Sequence, residues 1–183
     1  MANVQHTMNS QEHYTPLHII EMAREVLGGI NLDPCSSAIA NKTVGAEIFY
    51  NEIDEPLSMD WRIPPNNEVG TVWCNPPGSR YIRPSLPMQF FQKLWVEIAT
   101  GNVSHALYLA YSLEQLQQCQ HRGFYSMLDF SLCIPRKRIA FLDTYGYEQK
   151  SPTHANAIVY IPGTIDATAK FKEVFSTLGC VKV

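Results

Sequence analysis

The chain has 183 residues, 45% of them hydrophobic and 17% charged, with a formal net charge of −3. That length fits one domain with at most a small subdomain, and the apolar content is enough for a real core. The mildly acidic balance excludes a protein that relies on global basicity to attract phosphate, so any nucleic-acid surface must be a local patch. Residues 1–11 are polar and aperiodic and are expected to be a flexible segment before a domain spanning 12–183. They lack a basic start followed by an apolar run, and no apolar stretch in the chain reaches membrane-spanning length. A soluble cytoplasmic protein with no membrane partner is expected. The cysteines, Cys35, Cys74, Cys119, Cys133 and Cys180, form no C-x-x-C pair and read as reduced thiols. The histidines show no H-x-x-x-H spacing, so no metal site is expected.

In chain order, Leu17 to Leu27 has the spacing of an amphipathic helix, with Ile19, Ile20, Ala23, Val26 and Leu27 on one face. Thr15 is the expected cap, Pro16 the first turn and Gly28-Gly29 the stop. Ile30 to Leu32, Glu47 to Tyr50 and Gly70 to Cys74 read as strands. Pro87 to Thr100 reads as a helix in which Phe90, Phe91 and Trp95 are core residues. Ala106 to Tyr111 reads as a buried strand, followed by a helix from Leu113 to about His121. Phe130 to Ile134, Arg138 to Leu142 and Ala157 to Ile161 are later strand candidates. Phe171 to Leu178 is the expected closing helix. Strands that alternate with helices imply an α/β domain with a mostly parallel sheet, and the closely spaced late strands imply an antiparallel edge. Ligands of such sheets bind outside the carboxyl ends of the strands. Two polar, proline-containing segments follow strand ends directly: Asp33-Pro34-Cys35-Ser36 and Asn75-Pro76-Pro77-Gly78.

The second of these carries the most chemistry. Proline stops the strand and holds Asn75 extended, leaving a rigid turn at the strand tip. That turn offers an amide side chain and a carbonyl outside regular structure. An amino group on an aromatic ring is a poor nucleophile because its lone pair is delocalised. Two acceptors, the Asn75 side-chain oxygen and the Pro76 carbonyl, suit its two hydrogens and favour a pyramidal nitrogen. Catalysis would then be positioning and preorganised hydrogen bonding. An isolated Asn-Pro-Pro is more often just a turn. The preceding strand and the other blocks of the chain shift the balance.

Those blocks are Glu12-His13-Tyr14-Thr15-Pro16, Asn31 to Ser37, Asp54 through Leu57 to Asp60-Trp61, Val72 to Pro77, Cys133 to Phe141, and Ala157 to Tyr160. In this order the sequence resembles the phage-type DNA N-6-adenine methyltransferases, the Dam-like family, from about Glu12 to Pro162. The resemblance implies a Rossmann-like methyltransferase domain that uses S-adenosylmethionine and acts on a flipped adenine of double-stranded DNA. It implies that Tyr14, Thr15 and Pro16 border the methionine end of the cofactor. Asp33-Pro34, with Cys35 and Ser36, matches the first cofactor motif, whose carboxylate faces the cofactor ammonium. Asp54 or Asp60 would approach the adenosine, and Asn75, Pro76 and Pro77 would hold the target amine.

Two positions depart from the family pattern. Cys35-Ser36-Ser37 stands where a glycine pattern is usual, and Gly78 stands where an aromatic residue normally stacks on the adenine. Such stacking is worth roughly 1–3 kcal/mol per base. Tyr81 is the nearest replacement, though an ordinary tyrosine fits that position equally well. Arg80 and Arg83 follow the turn, and Arg136, Lys137 and Arg138 form a second cationic group; all five are candidate phosphate contacts. Tyr145, Tyr147 and Lys150 are candidate base contacts or simply solvent loop. Two other readings stand beside the first: a protein glutamine methyltransferase, because Asn-Pro-Pro also suits a side-chain amide, and a catalytically weak DNA-binding relic, because of Gly78 and the missing glycines.

Overall fold

The computed structural model describes residues 13–78, 84–120, 126–143, 145–148 and 152–183. Its helices are α1 (Leu17–Leu27), α2 (Asn41–Val44), α3 (Leu86–Ala99), α4 (Glu114–Gln120) and α5 (Thr168–Phe175). Its strands are β1 (Leu32–Asp33), β2 (Ile48–Phe49), β3 (Gly70–Cys74), β4 (Val103–Ala110), β5 (Ser131–Pro135), β6 (Ala157–Pro162) and β7 (Gly179–Lys182). One seven-stranded sheet runs in the order β2-β1-β3-β4-β6-β5-β7. The first four strands in that order are mutually parallel. The other three pair antiparallel, each with its neighbour, so β5 points the same way as β4. The fold is therefore mixed α/β, with a mostly parallel sheet and an antiparallel edge. Among the described residues no helix is long and apolar enough to cross a membrane.

Strand alternation divides the core into two layers. Trp73, Leu107, Leu109, Ile158 and Tyr160 pack towards α1 and α5. Val72, Cys74, Ala106, Tyr108 and Val159 pack towards α3 and α4. β4 is buried along its whole length, as a central strand covered on both faces must be. Its polar members are satisfied: Ser104 donates to the Gly70 carbonyl, and His105 Nδ1 lies 3.1 Å from the Tyr160 hydroxyl.

β1 is only two residues long, and side chains complete its alignment with β3. Asn31 Oδ1 accepts from the Thr71 amide at 2.9 Å, and Thr71 Oγ1 accepts from the Asn31 amide at 3.1 Å. Leu32 is thereby set opposite Val72.

Several expectations need correction. Thr15 does not cap α1; the N-cap is Pro16, with no side-chain capping bond. Gly28 ends α1 in the left-handed conformation, as expected. Arg138 to Leu142 forms no strand, because no neighbouring strand offers a ladder. Ile139 N–H donates instead to the Asn156 side chain, and Leu142 makes isolated bridges with Tyr14 and Glu148. Trp95 is half-buried, whereas Phe90 and Phe91 are core. The closing helix stops at Phe175, and the chain ends on a strand, β7, that periodicity did not reveal.

Docking of β7 depends on Gly179. A Cβ there would lie 2.0 Å from the Ile134 carbonyl oxygen, which is backbone and cannot turn aside. Gly179→Ala should therefore destabilise the protein by roughly 1–3 kcal/mol or more. Thermal unfolding should show a Tm lowered by about 2–4 °C per kcal/mol for a domain of this size. Gly78→Ala, whose Cβ would meet nothing within 4 Å, should leave Tm unchanged. Equal Tm values for the two variants would mean that β7 does not pair as described.

Candidate active site

Because β1 and β3 are parallel neighbours, Asp33 and Asn75 leave the sheet at the same carboxyl edge. The contact is close: Cys35 Sγ and Cys74 Sγ lie 3.6 Å apart. β2 and β4 end at this edge too, and deliver Tyr50 and Tyr111 to it.

The turn after β1 is tied to the one after β2. Tyr50 N–H donates to the Asp33 carbonyl and Ser36 N–H to the Tyr50 carbonyl. Pro34 is buried, and no residue from 34 to 37 takes a positive φ, so this turn forms without the usual glycines. The Asp33 side chain is 2% exposed and accepts from the Cys35 amide at 3.0 Å. Burial pushes its carboxyl up to about 7; the Cys35 amide and the Ser36 side chain oppose that rise without cancelling it. Ser36 Oγ sits beside the carboxyl but completes no hydrogen bond of normal geometry, leaving it a buried unpartnered hydroxyl. A desolvated carboxyl beside an unpartnered hydroxyl fits a small cationic group with N–H donors. The Cys35 thiol is held protonated by burial, by Cys74 and by Asp33 itself.

At the tip of β3, Asn75 Nδ2 donates to the His13 carbonyl and to Thr15 Oγ1, each at 3.2 Å. A carbonyl can only accept, so the nitrogen of the amide must face inward and Oδ1 outward. Among the described residues, no donor reaches Asn75 Oδ1 or the Pro76 carbonyl. Pro76 is buried, Pro77 and Gly78 are exposed, and the space beside Gly78 is open. Arg80, Tyr81, Arg83 and Lys150 lie outside the described residues.

Sequence reasoning missed an aromatic cluster on the same edge. The His13 ring stacks on Tyr111 with centroids 5.1 Å apart and planes 21° apart. Phe141 and His154 pack against Tyr111 at 5.5 and 5.0 Å. Burial, then the proximity of His154, lowers the His13 pKa, so its ring is neutral near pH 7. Tyr14 exchanges two backbone hydrogen bonds with Leu142, which brings the 138–142 segment back to this edge. Asn156 is 2% exposed and joins that segment to β4 by donating to the Tyr111 carbonyl. One signal was available: Tyr111 ends the apolar run from Ala106, which reads as a buried strand, at the edge where ligands bind.

The remaining candidates separate. Burial, then the proximity of Asp60 and Asp54, raises the Tyr50 phenol pKa, so both carboxylates lie near the carboxyl end of β2. Each already has a partner. Asp54 Oδ2 accepts from the Asn51 amide in a capping box. Asp60 is paired with the Arg62 guanidinium, whose hydrogen bonds pull its carboxyl down to about 2. Arg136, Lys137 and Arg138 follow β5, three strands along from β3. There they line a cavity of about 330 Å³ with His18, Glu148 and Thr177, and neither Asp33 nor Asn75 is among its lining residues. The Arg136 guanidinium donates to the carbonyls of Ser176 and Thr177 beyond α5, a structural task. Arg138 donates to the Pro152 carbonyl, and Lys137 is exposed. Tyr145 and Tyr147 are 84% and 72% exposed, and their backbone N–H groups donate hydrogen bonds to Asp143 Oδ1.

No family model, no curated protein and no solved structure matches this chain.

The Asp33 environment sets a pH-dependent stability. Below about pH 4 the carboxyl is protonated in both the folded and the unfolded chain and carries no penalty. As pH rises towards 7 the unfolded chain ionises while the folded one keeps its proton, so stability falls. Asp33→Asn keeps the acceptor for Cys35 and removes the charge. It should stabilise the protein above about pH 7 by on the order of a few kcal/mol, read as a higher Tm, and the gain should vanish towards pH 4. A gain independent of pH would show that Asp33 is not a strained acid.

Proposed function

We propose that this protein is a methyltransferase that moves a methyl group from S-adenosylmethionine to the exocyclic N6 of adenine in double-stranded DNA. The observation that carries the reading is the Asn75 amide, held by its nitrogen so that its oxygen is turned away from those two acceptors, with no donor reaching it or the Pro76 carbonyl among the described residues. Support comes also from the ordered sequence blocks, which place Asp33 and Asn75 in two motifs that the sheet brings to one edge.

Asn75 Oδ1 and the Pro76 carbonyl accept the two N6 hydrogens of a flipped adenine and turn its lone pair out of the ring plane. Asp33 and Ser36 hold the ammonium of the cofactor's methionine part, a cation whose N–H groups match the buried carboxyl and hydroxyl. Tyr50 and the Asp54 and Asp60 region border the adenosine. When bound, the cofactor supplies an electrophilic methyl on a sulfonium. The protein's share of the chemistry is orientation and preorganised dipoles, and no side chain acts as a covalent nucleophile. Extruding the base costs stacking energy that pocket contacts must recover. The His13–Tyr111 cluster offers aromatic surface at this edge where Gly78 offers none. Lys137 and Arg138, with the exposed Tyr145 and Tyr147, are the proposed contacts to the duplex outside the pocket.

The test is transfer of labelled methyl from S-adenosylmethionine to unmethylated DNA, followed by nucleoside analysis. N6-methyladenine should carry the label; label in protein glutamine instead would overturn the reading. Asn75→Ala should lower turnover about 100–1000-fold, as loss of one preorganised transition-state group does elsewhere, while cofactor affinity stays near the parent value. Asp33→Asn should do the opposite, weakening cofactor binding roughly 10–100-fold by calorimetry, the worth of one charge-assisted hydrogen bond.

A further inference from the structure

We propose that Thr15 is a positioning residue: together with the main-chain carbonyl of His13, it locks the Asn75 amide in the orientation that exposes Oδ1. The lock makes position 75 specific for an amide over a carboxylate. The inference rests on the proposed site at Asn75 and assigns Thr15 a task other than bordering the cofactor.

An amide side chain has two ends of nearly equal size, and only its surroundings decide which one faces a substrate. Here both acceptors come from the segment before α1. The His13 carbonyl and Thr15 Oγ1 each take a hydrogen from Nδ2 at 3.2 Å. Turned over, the amide would set Oδ1 against the His13 carbonyl oxygen, a contact between two acceptors. The carbonyl cannot swing aside to relieve it. The His13 ring is stacked on Tyr111, and the next residue, Tyr14, is bonded in both directions to Leu142 at 3.0 and 2.8 Å. Thr15 is 4% exposed, so water does not substitute easily for its hydroxyl.

The same geometry explains why an amide stands at position 75. A carboxylate has no hydrogen to give either acceptor, and one of its oxygens would face the His13 carbonyl directly. Asn75→Asp keeps the size and the outward acceptor, yet loses the lock. Its turnover should fall as far as that of Asn75→Ala.

The experiment measures kcat and KM of full-length variants with DNA and S-adenosylmethionine, and follows the Asn75 side-chain amide by NMR in protein labelled at asparagine nitrogen. Thr15→Val preserves shape and removes the acceptor. It should lower kcat roughly 3–10-fold, the worth of one hydrogen bond, with the cofactor KM unchanged, and should shift the Asn75 Nδ2 proton resonances. Thr15→Ser should restore both. In an Asn75→Ala background Thr15→Val should cost nothing further, since the two act through one group. A raised cofactor KM with parental kcat would overturn the proposal, as would an equal loss in the Asn75→Ala background. Should the parent transfer no methyl to DNA, the reading of function fails and the NMR arm still decides the lock: an unshifted Asn75 amide in Thr15→Val overturns it. If Thr15→Val does not fold, Thr15→Ala is judged by the same readouts.

Discussion

The site depends on the pairing of a two-residue strand with its neighbour. β1 has too few residues to specify register through a backbone ladder. Asn31 and Thr71 supply the missing bonds, each side chain bonding to the other residue's main-chain amide. Thr71 Oγ1 also lies 2.8 Å from the Gly29 carbonyl, which ties the end of the α1 turn into the same arrangement. Because side chains alternate along a strand, a slip of one residue would turn Asp33 and Leu32 to opposite faces. It would also part the Asp33 turn from the Asn75 turn. Every later feature of the edge assumes this register.

On that register stands a site that works against the fold. A carboxyl with a pKa near 7 and a buried hydroxyl without a partner both cost the protein stability. The surrounding structure offsets that cost with two well-filled core layers and a central strand buried from end to end. Local polar groups without partners at the carboxyl edge of such a sheet are what a ligand site requires, since the ligand provides the partners.

The segment from His13 to Pro16 closes this edge from outside the sheet. It is anchored by Leu142 and by the stack on Tyr111, and it returns two acceptors to Asn75. Asn156 makes a similar connection further along, binding the 138–142 segment to the end of β4. The edge thus draws together residues 13–16, Asn75, the 138–142 segment and Asn156, which lie far apart in the sequence. Rigidity at Asn75 comes from their convergence as much as from the two prolines.

Local signals in the sequence define several elements. Gly70 to Cys74 is a strand with the expected bounds, since an apolar run is cut by Asn-Pro-Pro. α1 is a helix with the expected bounds, since five apolar residues fall on one face before a glycine stop. The parallel sheet and its antiparallel edge followed from the spacing of elements, and with them the meeting of Asp33 and Asn75. What stayed hidden was set by residues far apart in the chain. The partners of the Asn75 amide lie 60 and 62 positions away, so Thr15 read as a helix cap. Arg138 to Leu142 had the composition of a strand but meets only isolated bridges, at Leu142, and no ladder among the described residues. β7 pairs because Gly179 lets the chain approach β5, and no periodicity announces such an approach. Sequence determined which segments are apolar, where prolines stop them and which polar residues stand at their ends, because those are short-range properties of the chain. Tertiary structure decided which of those ends meet, which way the Asn75 amide faces and which side chain holds it in place, because these depend on packing between distant segments.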